Sequence, residues 1–227
     1  MKEASFVQPR FARIAAAIGD PTRARMLGAL MDGASLPAGE IAQAAGINAS
    51  TASGHLARLV DDGLVAVQAQ GRHRYYRVSN SDVARALEAL SVVAERSAAA
   101  DKWRREPYRQ LKFARTCYRH IAGELGVRLF RSLVEQRRLA GTPEGFALTP
   151  GGRAWLQDLG VDADGIARGE RYAYACLDWS ERRHHLAGRL ASSLLDHFLE
   201  RRWLARQPAS RGLALTPQGR RALLPRL

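Results

Sequence analysis

The sequence predicts a mainly α-helical fold with small β-hairpins (α+β), in which an N-terminal domain precedes two copies of one repeated unit. Three observations lead to this fold class. Apolar residues recur at helical spacing along much of the chain, two alternating segments flank a Gly-Arg-His-Arg turn, and one pattern occurs twice after residue 115. With 227 residues, of which 46% are hydrophobic and 25% charged, the chain is long enough for more than one core.

Two helices are predicted before residue 33. The first carries an apolar stripe and ends at Gly19, and the second begins after Asp20, which can cap it, with Pro21 at its first position. Gly33 ends the second helix. The predicted buried stripes are Phe11, Ile14, Ala15 and Ile18 on the first helix, and Met26, Leu27 and Leu30 on the second.

The segment LPAGEIAQAAGINASTASGHLARLVDDGLV contains two short helical patterns separated by Gly46 and Ile47. Gly46 supplies a tight turn and Asn48 caps the next helix, a spacing typical of a helix-turn-helix. Small or hydrogen-bonding side chains at the start of that helix would let it approach base edges, and Arg58, one turn on, could meet a phosphate. The predicted base-reading residues are Ala49, Ser50, Thr51, Ser53, Gly54 and His55, and the predicted core anchors are Ile41, Ala45, Leu56 and Leu59.

The next segment, LVAVQAQGRHRYYRVS, alternates apolar and polar residues, turns at Gly71 and returns, which predicts a two-stranded wing. Arg72, His73 and Arg74 lie at its tip, where cations would face phosphates. Each pattern alone also fits a plain helical hairpin or a solvated loop. Their order favours a winged helix-turn-helix that binds double-stranded operator DNA.

Residues 11–96 resemble the ArsR/SmtB family of repressors in GDPTRARML, GINASTASGHLARLVDDGLV and GRHRYYRVS. The resemblance implies a homodimer that occludes a promoter and leaves it when an inducer, often a toxic metal ion, binds. The segment from Ser81 to about Ser97, with Val83, Leu87, Leu90 and Ala94 on one stripe, looks like the dimerisation helix of the family. An ordinary packing helix fits the same periodicity.

The sequence departs from the metal-sensing members of that family. The helix before the turn, PAGEIAQAAG, has no cysteine, and the dimerisation helix keeps only Asp82 of the Asp and His ligand set. If this protein senses a metal, we expect the ligands to lie elsewhere.

A repeat follows residue 100. HIAGELGVRLFRSLVEQRRLA matches HLAGRLASSLLDHFLERRWLA 65 residues later, and FALTPGGRAWL matches LALTPQGRRAL. We therefore expect residues 115–160 and 174–227 to form two copies of one unit, each with a helix, a strand-like return and a last helix opened by Thr-Pro. The LTPxGR string resembles the hairpin-to-helix junction of winged-helix proteins, and an ordinary structural core is the alternative. The predicted domains are 1–100, for DNA binding and dimerisation, and 101–227, for effector binding or regulation.

The two copies of the repeat also place cysteine and histidine residues at similar positions. Cys117 precedes His120 by three residues, a spacing that predicts one helical face suited to a metal ion. Thiolate, imidazole and carboxylate groups together suit Zn(II), Cd(II) or Pb(II) as an inducer. The predicted ligands are Cys117, His120, Cys176, Asp178, His184 and His185, and Glu181 lies in the same segment. The alternative is that the cysteines are small core residues and the histidines lie at the surface.

Two other effectors remain open. Cys117 and Cys176 could form a redox switch if their Cα atoms lie within about 7 Å of each other. An organic ligand could occupy a pocket lined by aromatic side chains, although such residues are more often core. The aromatic candidates are Trp103, Tyr108, Trp155, Tyr172, Tyr174 and Trp179.

Charge and composition limit the function classes. The net charge of +13 points to a polyanionic partner, yet residues 1–95 hold ten basic and nine acidic side chains while residues 96–227 hold 25 and 13. The basic C-terminal helices could therefore widen the DNA footprint.

The chain has no glycine-rich phosphate loop, GxSxG or HExxH motif, so we expect no enzyme. A winged-helix protein-interaction module without specific DNA binding is the alternative to a DNA-binding regulator. With no signal sequence, no apolar run of about 18 residues and two cysteines far apart, we expect a cytoplasmic protein without a membrane partner.

Overall fold

A computed structural model of the chain describes residues 9–70, 73–94, 106–166, 171–208 and 210–227. The chain forms two compact units, Met1–Ala84 and Arg85–Leu227. No helix in these described ranges is both long and apolar enough to cross a lipid bilayer.

The N-terminal unit consists of four helices and a small antiparallel sheet. The helices are α1 (Pro9–Gly19), α2 (Pro21–Leu30), α3 (Ala38–Ala45) and α4 (Ala49–Asp61). The strands are β1 (Leu36–Pro37), β2 (Val65–Gln70) and β3 (His73–Val78), in the order β1-β3-β2. The predicted winged helix-turn-helix is confirmed in its helices and in both strands of the wing, and the predicted turn of the wing at Gly71 and Arg72 lies outside the described residues.

Local chemistry explains these helix boundaries. The Asp20 carboxylate accepts hydrogen bonds from the backbone N–H groups of Thr22 and Arg23 at the start of α2. Gly46 ends α3 with φ of 68°, a left-handed conformation that glycine adopts without strain. The predicted stripe of α1 is partly wrong, because Phe11 is 68% exposed and Ala17 is the buried residue.

Helix α5 (Ser81–Ala94) spans the division between the two compact units. Its buried residues are Ala84, Glu88 and Val92, four positions apart. Of the predicted dimerisation stripe, Val83 and Leu87 are half-buried, and Leu90 and Ala94 are exposed in the single chain. The predicted end of this helix near Ser97 lies outside the described residues.

After α5, the C-terminal unit continues with α6 (Glu106–Phe113) and then follows one order of elements twice. The first copy contains β4 (Arg115–Cys117), β5 (His120–Ala122), α7 (Gly123–Glu135), β6 (Leu139–Thr142), β7 (Gly145–Leu148) and α8 (Pro150–Leu159). The second contains β8 (Tyr174–Leu177), β9 (His184–Ala187), α9 (Arg189–Glu200), β10 (Leu204–Arg206), β11 (Leu213–Leu215) and α10 (Pro217–Leu223), with a short 3-10 helix at Leu224–Arg226. The predicted repeat is confirmed, and each copy adds a β-hairpin before its first helix.

The two copies interlock around one core. Helix α7 of the first copy packs against β9 of the second, α9 packs against β5, and β5 contacts β9. The core contains Leu125, Leu129 and Leu133 from one copy and Leu190, Leu194 and Phe198 from the other. The two hairpins, β4–β5 and β8–β9, are therefore brought together at the centre of the unit.

The repeated Thr-Pro-x-Gly motif opens the last helix of each copy. Thr149 accepts a hydrogen bond from the N–H of Gly152 at 3.0 Å, and Thr216 accepts one from the N–H of Gly219 at 2.9 Å. A Cβ atom at either glycine would lie within about 2.1 Å of a backbone carbonyl oxygen, that of Arg138 or Trp203. The motif thus combines a helix cap with a close backbone approach, which accounts for both its threonine and its glycine.

Candidate DNA-reading face and Cys/His centre

The first turns of α4 carry most of the residues predicted to read DNA bases. The Asn48 side chain accepts hydrogen bonds from the N–H of Thr51 at 2.8 Å and from the Ser50 hydroxyl at 2.7 Å, which caps the helix. Ala52, Leu56 and Leu59 are buried and fix the opposite face. The exposed side is formed by Ala49, Ser50, Thr51, Ser53 and Gly54.

Two predicted DNA contacts on α4 have partners within the N-terminal unit. Arg58 Nε donates to Asp62 Oδ2 at 2.7 Å, so a phosphate would compete with this carboxylate. His55 is half-buried, with Nδ1 4.0 Å from Asp20 Oδ1. His73 and Arg74 are exposed on β3 near the tip of the wing, and Arg72 lies outside the described residues.

In the C-terminal unit, four of the predicted metal ligands lie in one buried cluster. Cys117, His120, Cys176 and His185 offer ligand atoms that all lie within 4.8 Å of one another. We call these four residues the Cys/His centre. The prediction that Cys117 and His120 share a helical face is wrong: they face each other across the β4–β5 hairpin, as Cys176 and His185 do across β8–β9.

The spacing of the two imidazole rings fits a tetrahedral ion. His185 Nε2 and His120 Nδ1 are 3.1 Å apart. Zn–N bonds of about 2.0–2.1 Å place two nitrogen ligands about 3.3 Å apart at a tetrahedral centre. The centre is closed, because all four residues are at most 6% exposed and Ala122 and Ala187 pack beside the thiols.

Asp178 and His184 lie outside this cluster. His184 is exposed on β9, where neighbouring side chains point to opposite faces of the strand. Asp178 is fully buried, and its Oδ2 lies 3.4 Å from His185 Nδ1, so it stands behind the histidine rather than beside the thiols. A carboxylate in this position orients the imidazole and leaves Nε2 directed to the centre.

The Asp178 carboxylate also organises the segment around it. Oδ1 accepts from Arg115 Nη2 at 3.0 Å, and Oδ2 accepts from the N–H of Gly123 at 2.6 Å. The Arg115 guanidinium is fully buried and lies 4.3 Å from the centre of the Trp179 ring. Asp178 therefore joins the start of α7 in the first copy to the hairpin of the second.

Burial and mutual contact set the proton positions in the Cys/His centre. The hydrogen bond from Cys117 outweighs burial and, with His185, lowers the pKa of Cys176 to about 5. Burial disfavours the charged form of His185, but Asp178 and Cys176 raise its pKa to about 9. Burial raises the pKa of Cys117, while burial and the charge of His185 lower the pKa of His120. A Cys176 thiolate beside a His185 imidazolium follows at neutral pH.

The sequence interpretation missed Glu88, a buried carboxylate on α5. Its Oε1 accepts from Arg211 Nη1 at 2.6 Å. A signal was present in the sequence, because Glu88 lies four residues from Ala84 and from Val92 on what is otherwise an apolar face.

The aromatic candidates do not gather in one pocket. Tyr172 lines an open cavity of about 400 Å³ with Phe146 and Arg153, whereas Trp155 and Trp179 are buried at other places in the unit. Tyr174 packs beside the thiols. Trp103 and the side chain of Tyr108 lie outside the described residues.

Comparison with known proteins places this geometry in a family. A family model described as a helix-turn-helix domain matches residues 18–68. The HTH-type transcriptional regulator YdfF of Bacillus subtilis (strain 168), an uncharacterized protein, is 41% identical over 216 residues, which are 94% of this chain and 95% of YdfF. The chain belongs to the HTH-type transcriptional regulators. This regulator shares with YdfF much of its C-terminal unit as well, since the match covers nearly the whole of both chains.

Other relatives match the regulator over a shorter segment. The HTH-type transcriptional regulator CmtR of Mycobacterium tuberculosis is 43% identical over 79 residues, covering 35% of this chain and 66% of CmtR. An NMR structure of CmtR, described as a cadmium metal-sensor, has a TM-score of 0.31 and covers 35% of this chain and 81% of its own. The homodimeric DNA-binding domain of Mb0332 from Mycobacterium bovis is 31% identical, with a TM-score of 0.38, and covers 43% of this chain and 94% of its own.

Proposed function

We propose that this regulator is a homodimeric repressor that binds operator DNA through α4 and the β2–β3 wing and leaves it when a thiophilic divalent ion binds the Cys/His centre. The observation that carries the metal part is the cluster of four buried ligand atoms within 4.8 Å. As a regulator of transcription it would act in the cytoplasm, where bacterial DNA lies.

The exposed start of α4 supports the DNA part. Small side chains let the helix approach the floor of the major groove, and the basic wing can contact phosphates beside it. Ser53→Glu or Arg74→Glu would place a negative charge against the DNA. At fixed salt, either variant should lose binding to an operator fragment selected from genomic DNA, whereas Arg131→Glu, an exposed change on α7, serves as the control for charge alone. Full affinity in both variants would refute the assigned reading face.

The ligand chemistry supports a tetrahedral soft or borderline ion. Two thiolates and two imidazoles suit Zn(II) and softer ions such as Cd(II), and a larger ion such as Pb(II) is the third candidate. The relative CmtR is described as a cadmium metal-sensor. A bound ion would neutralise both thiolates and join the two copies of the repeat at their hairpins.

The test of metal sensing follows two signals at once. Purified regulator is titrated with Zn(II), Cd(II) or Pb(II) while thiolate-to-metal absorption and the anisotropy of labelled operator are recorded. Metal should bind and release the DNA, and Cys117→Ser and Cys176→Ser should lose both effects. His184→Gln, next to His185 but exposed, is the matched control. An unchanged metal response in both cysteine variants would eliminate the centre as the sensor.

Thiol oxidation is the second candidate, favoured by the Cys117–Cys176 contact and the thiolate character of Cys176. An oxidant such as hydrogen peroxide would take two electrons from the pair, forming a disulfide and water. Peroxide should then release the operator without metal, and dithiothreitol should restore binding. A DNA affinity that peroxide leaves unchanged removes this candidate.

Exposed apolar side chains support the homodimer. Val93 is 64% exposed and Leu90 48%, and neighbouring exposed apolar side chains form the kind of patch that marks protein–protein contacts. Phe11 on α1 is 68% exposed. Leu90 and Val93 lie one turn apart on α5. The second half of α5 is therefore the proposed dimer contact.

A further inference from the structure

Glu88 is a buried carboxylate on an otherwise apolar face of α5. It is 2% exposed on α5, between the buried Ala84 and Val92. Burial of a charge is costly unless the charge is paired. The partners of Glu88 therefore determine what this carboxylate costs on α5.

The pairing of Glu88 is incomplete. Oε1 bonds to Arg211 Nη1 at 2.6 Å, and the side chain of Arg211 is 17% exposed. Oε2 is buried and has no hydrogen-bond partner in the part of the chain that the structure describes. A buried polar atom without a partner calls for a physical explanation, and an ion that it can approach is one such explanation.

Arg211 is tied to the strand that carries Cys117. The N–H of Thr116 donates to the carbonyl oxygen of Arg211 at 2.8 Å, and the Thr116 hydroxyl donates to the same oxygen at 3.3 Å. Thr116 is the neighbour of Cys117 on β4. The residue that pairs with Glu88 is thus hydrogen-bonded through its backbone to the chain neighbour of a proposed metal ligand.

Glu88 also acts on the thiols through its charge. Burial is the main cause that raises the pKa of Cys117, and the negative charge of Glu88 adds to it. At Cys176, where the hydrogen bond from Cys117 lowers the pKa, Glu88 acts in the opposite direction. The negative charge of Glu88 therefore acts on both sulfurs of the Cys/His centre.

We infer that the Glu88–Arg211 ion pair transmits occupancy of the Cys/His centre to α5, and that Glu88 is the residue through which a bound cation alters DNA binding. This inference rests on the proposed release of DNA by metal. A cation between the sulfurs attracts the free oxygen of Glu88 and competes with Arg211 for the carboxylate. Since α5 runs unbroken from Ser81 to Ala94, a displacement at Glu88 reaches the part of the helix that belongs to the N-terminal unit.

Glu88→Gln tests this coupling, because glutamine keeps the shape of the side chain and removes its charge. Metal affinity is measured by absorption with a competing chelator, and operator affinity by anisotropy with and without Cd(II). Coupling between two sites typically changes affinity by about 5- to 150-fold, and we expect such a ratio in the unaltered regulator. In Glu88→Gln the ratio should approach one, while metal affinity should change little, because the four proposed ligands stay in place and the lost attraction of Glu88 for the cation is offset by easier deprotonation of the thiols. Glu124→Gln, exposed on α7, should behave as the unaltered protein.

Each outcome decides the matter. An unaltered ratio in Glu88→Gln overturns the inference and leaves metal sensing intact. Loss of metal binding in Glu88→Gln also overturns it, because Glu88 would then belong to the centre itself. If the unaltered regulator binds no metal, or keeps its DNA when metal binds, the proposed function fails and the inference fails with it. If Glu88→Gln folds poorly, the same ratio is measured in Arg211→Gln, which removes the other partner of the ion pair.

Discussion

His185 Nε2 lies 3.1 Å from His120 Nδ1, although the two residues are 65 positions apart and belong to different copies of the repeated unit. The equivalent strands β5 and β9 bring them together, and each strand is paired with a strand that carries a cysteine. Each copy thus supplies one thiol and one imidazole to a single buried place. The contact between β5 and β9 is therefore what assembles the Cys/His centre.

His185→Gln should weaken metal binding far more than His184→Gln. The first change removes a proposed ligand, and the second removes an exposed neighbour on the same strand. Loss of a supporting residue around a metal typically costs about 10–100-fold in affinity, so loss of a ligand should cost at least ~100-fold. Competition with a chelator of known affinity measures both. Equal affinities for the two variants would exclude His185 as a ligand.

Asp178→Asn should destabilise the C-terminal unit. The change leaves the buried guanidinium of Arg115 without its carboxylate partner, and breaking a buried pair typically costs about 3–5 kcal/mol. Asp196→Asn breaks the exposed pair with Arg119, at 3.2 Å, and should cost less than about 1 kcal/mol. Urea denaturation followed by tryptophan fluorescence compares the free energies of unfolding. A similar loss in both variants would contradict the assigned role of Asp178.

Acid should destabilise the metal-free protein below about pH 6.5. Burial and the charge of His185 lower the pKa of His120, so its contribution to stability is present above its ordinary value of 6.5 and is lost as the pH falls. The hydrogen bond from Cys117 lowers the pKa of Cys176 to about 5, so the contribution of its thiolate is also lost as the pH falls toward 5.

The contribution of His185 to stability has the opposite pH dependence. Although burial opposes the shift, Asp178 and Cys176 raise its pKa to about 9, so its contribution is present below 6.5 and is lost as the pH rises through 9. Between pH 6.5 and 9 the pH dependence of the His185 contribution cancels that of the Cys176 contribution, so the free energy of unfolding should change little. Below 6.5 each extra proton taken up by the unfolded chain lowers stability by about 1.4 kcal/mol per pH unit. Urea denaturation at several pH values checks this, and Cys176→Ser should reduce the slope on the acid side.

Leu90→Glu combined with Val93→Glu should convert the regulator to a monomer. The two side chains are exposed on α5, and charges there would prevent an apolar contact with a second copy. Light scattering coupled to size-exclusion chromatography measures the mass. Val134→Glu, at a residue 40% exposed on α7, is the control. A dimer that persists in the double variant would place the contact elsewhere.

Arg74→Gln should reduce the salt dependence of operator binding. Removal of one cation that neutralises a phosphate makes the slope of log K against log salt shallower by about 0.9. Arg131→Gln removes a positive charge from α7 and should leave the slope unchanged. Fluorescence anisotropy over a range of salt concentrations gives both slopes. An unchanged slope for Arg74→Gln would show that the wing does not bind a phosphate through this residue.

The N-terminal unit could be predicted from the sequence because its signals are local. Asp20, Gly46 and Asn48 each determine a helix end through a cap or a left-handed turn, and the structure contains all three. The TPxG junctions of the C-terminal copies were predictable for the same reason. Such features depend on neighbouring residues alone.

The hairpin of Cys117 and His120 could not be recognised in this way. Its two turn residues, Tyr118 and Arg119, are not the Gly, Asn or Asp residues that usually mark a tight turn. Tyr118 adopts a φ of 59°, a backbone conformation that residues other than glycine seldom take. Three-residue spacing then indicated a helix. The roles of Asp178 and Glu88 depend on partners 55 to 123 residues away, and a single sequence carries no local sign of such distances.

Because the two hairpins interlock, each copy holds only half of the proposed ligand set. The proposed four-ligand site is formed in one chain from two half-sites, in the way that two identical subunits can share a site on their symmetry axis. The copies could therefore drift apart in sequence elsewhere, as their longer and shorter hairpin loops have, while a change at either cysteine or either histidine would disable both halves at once.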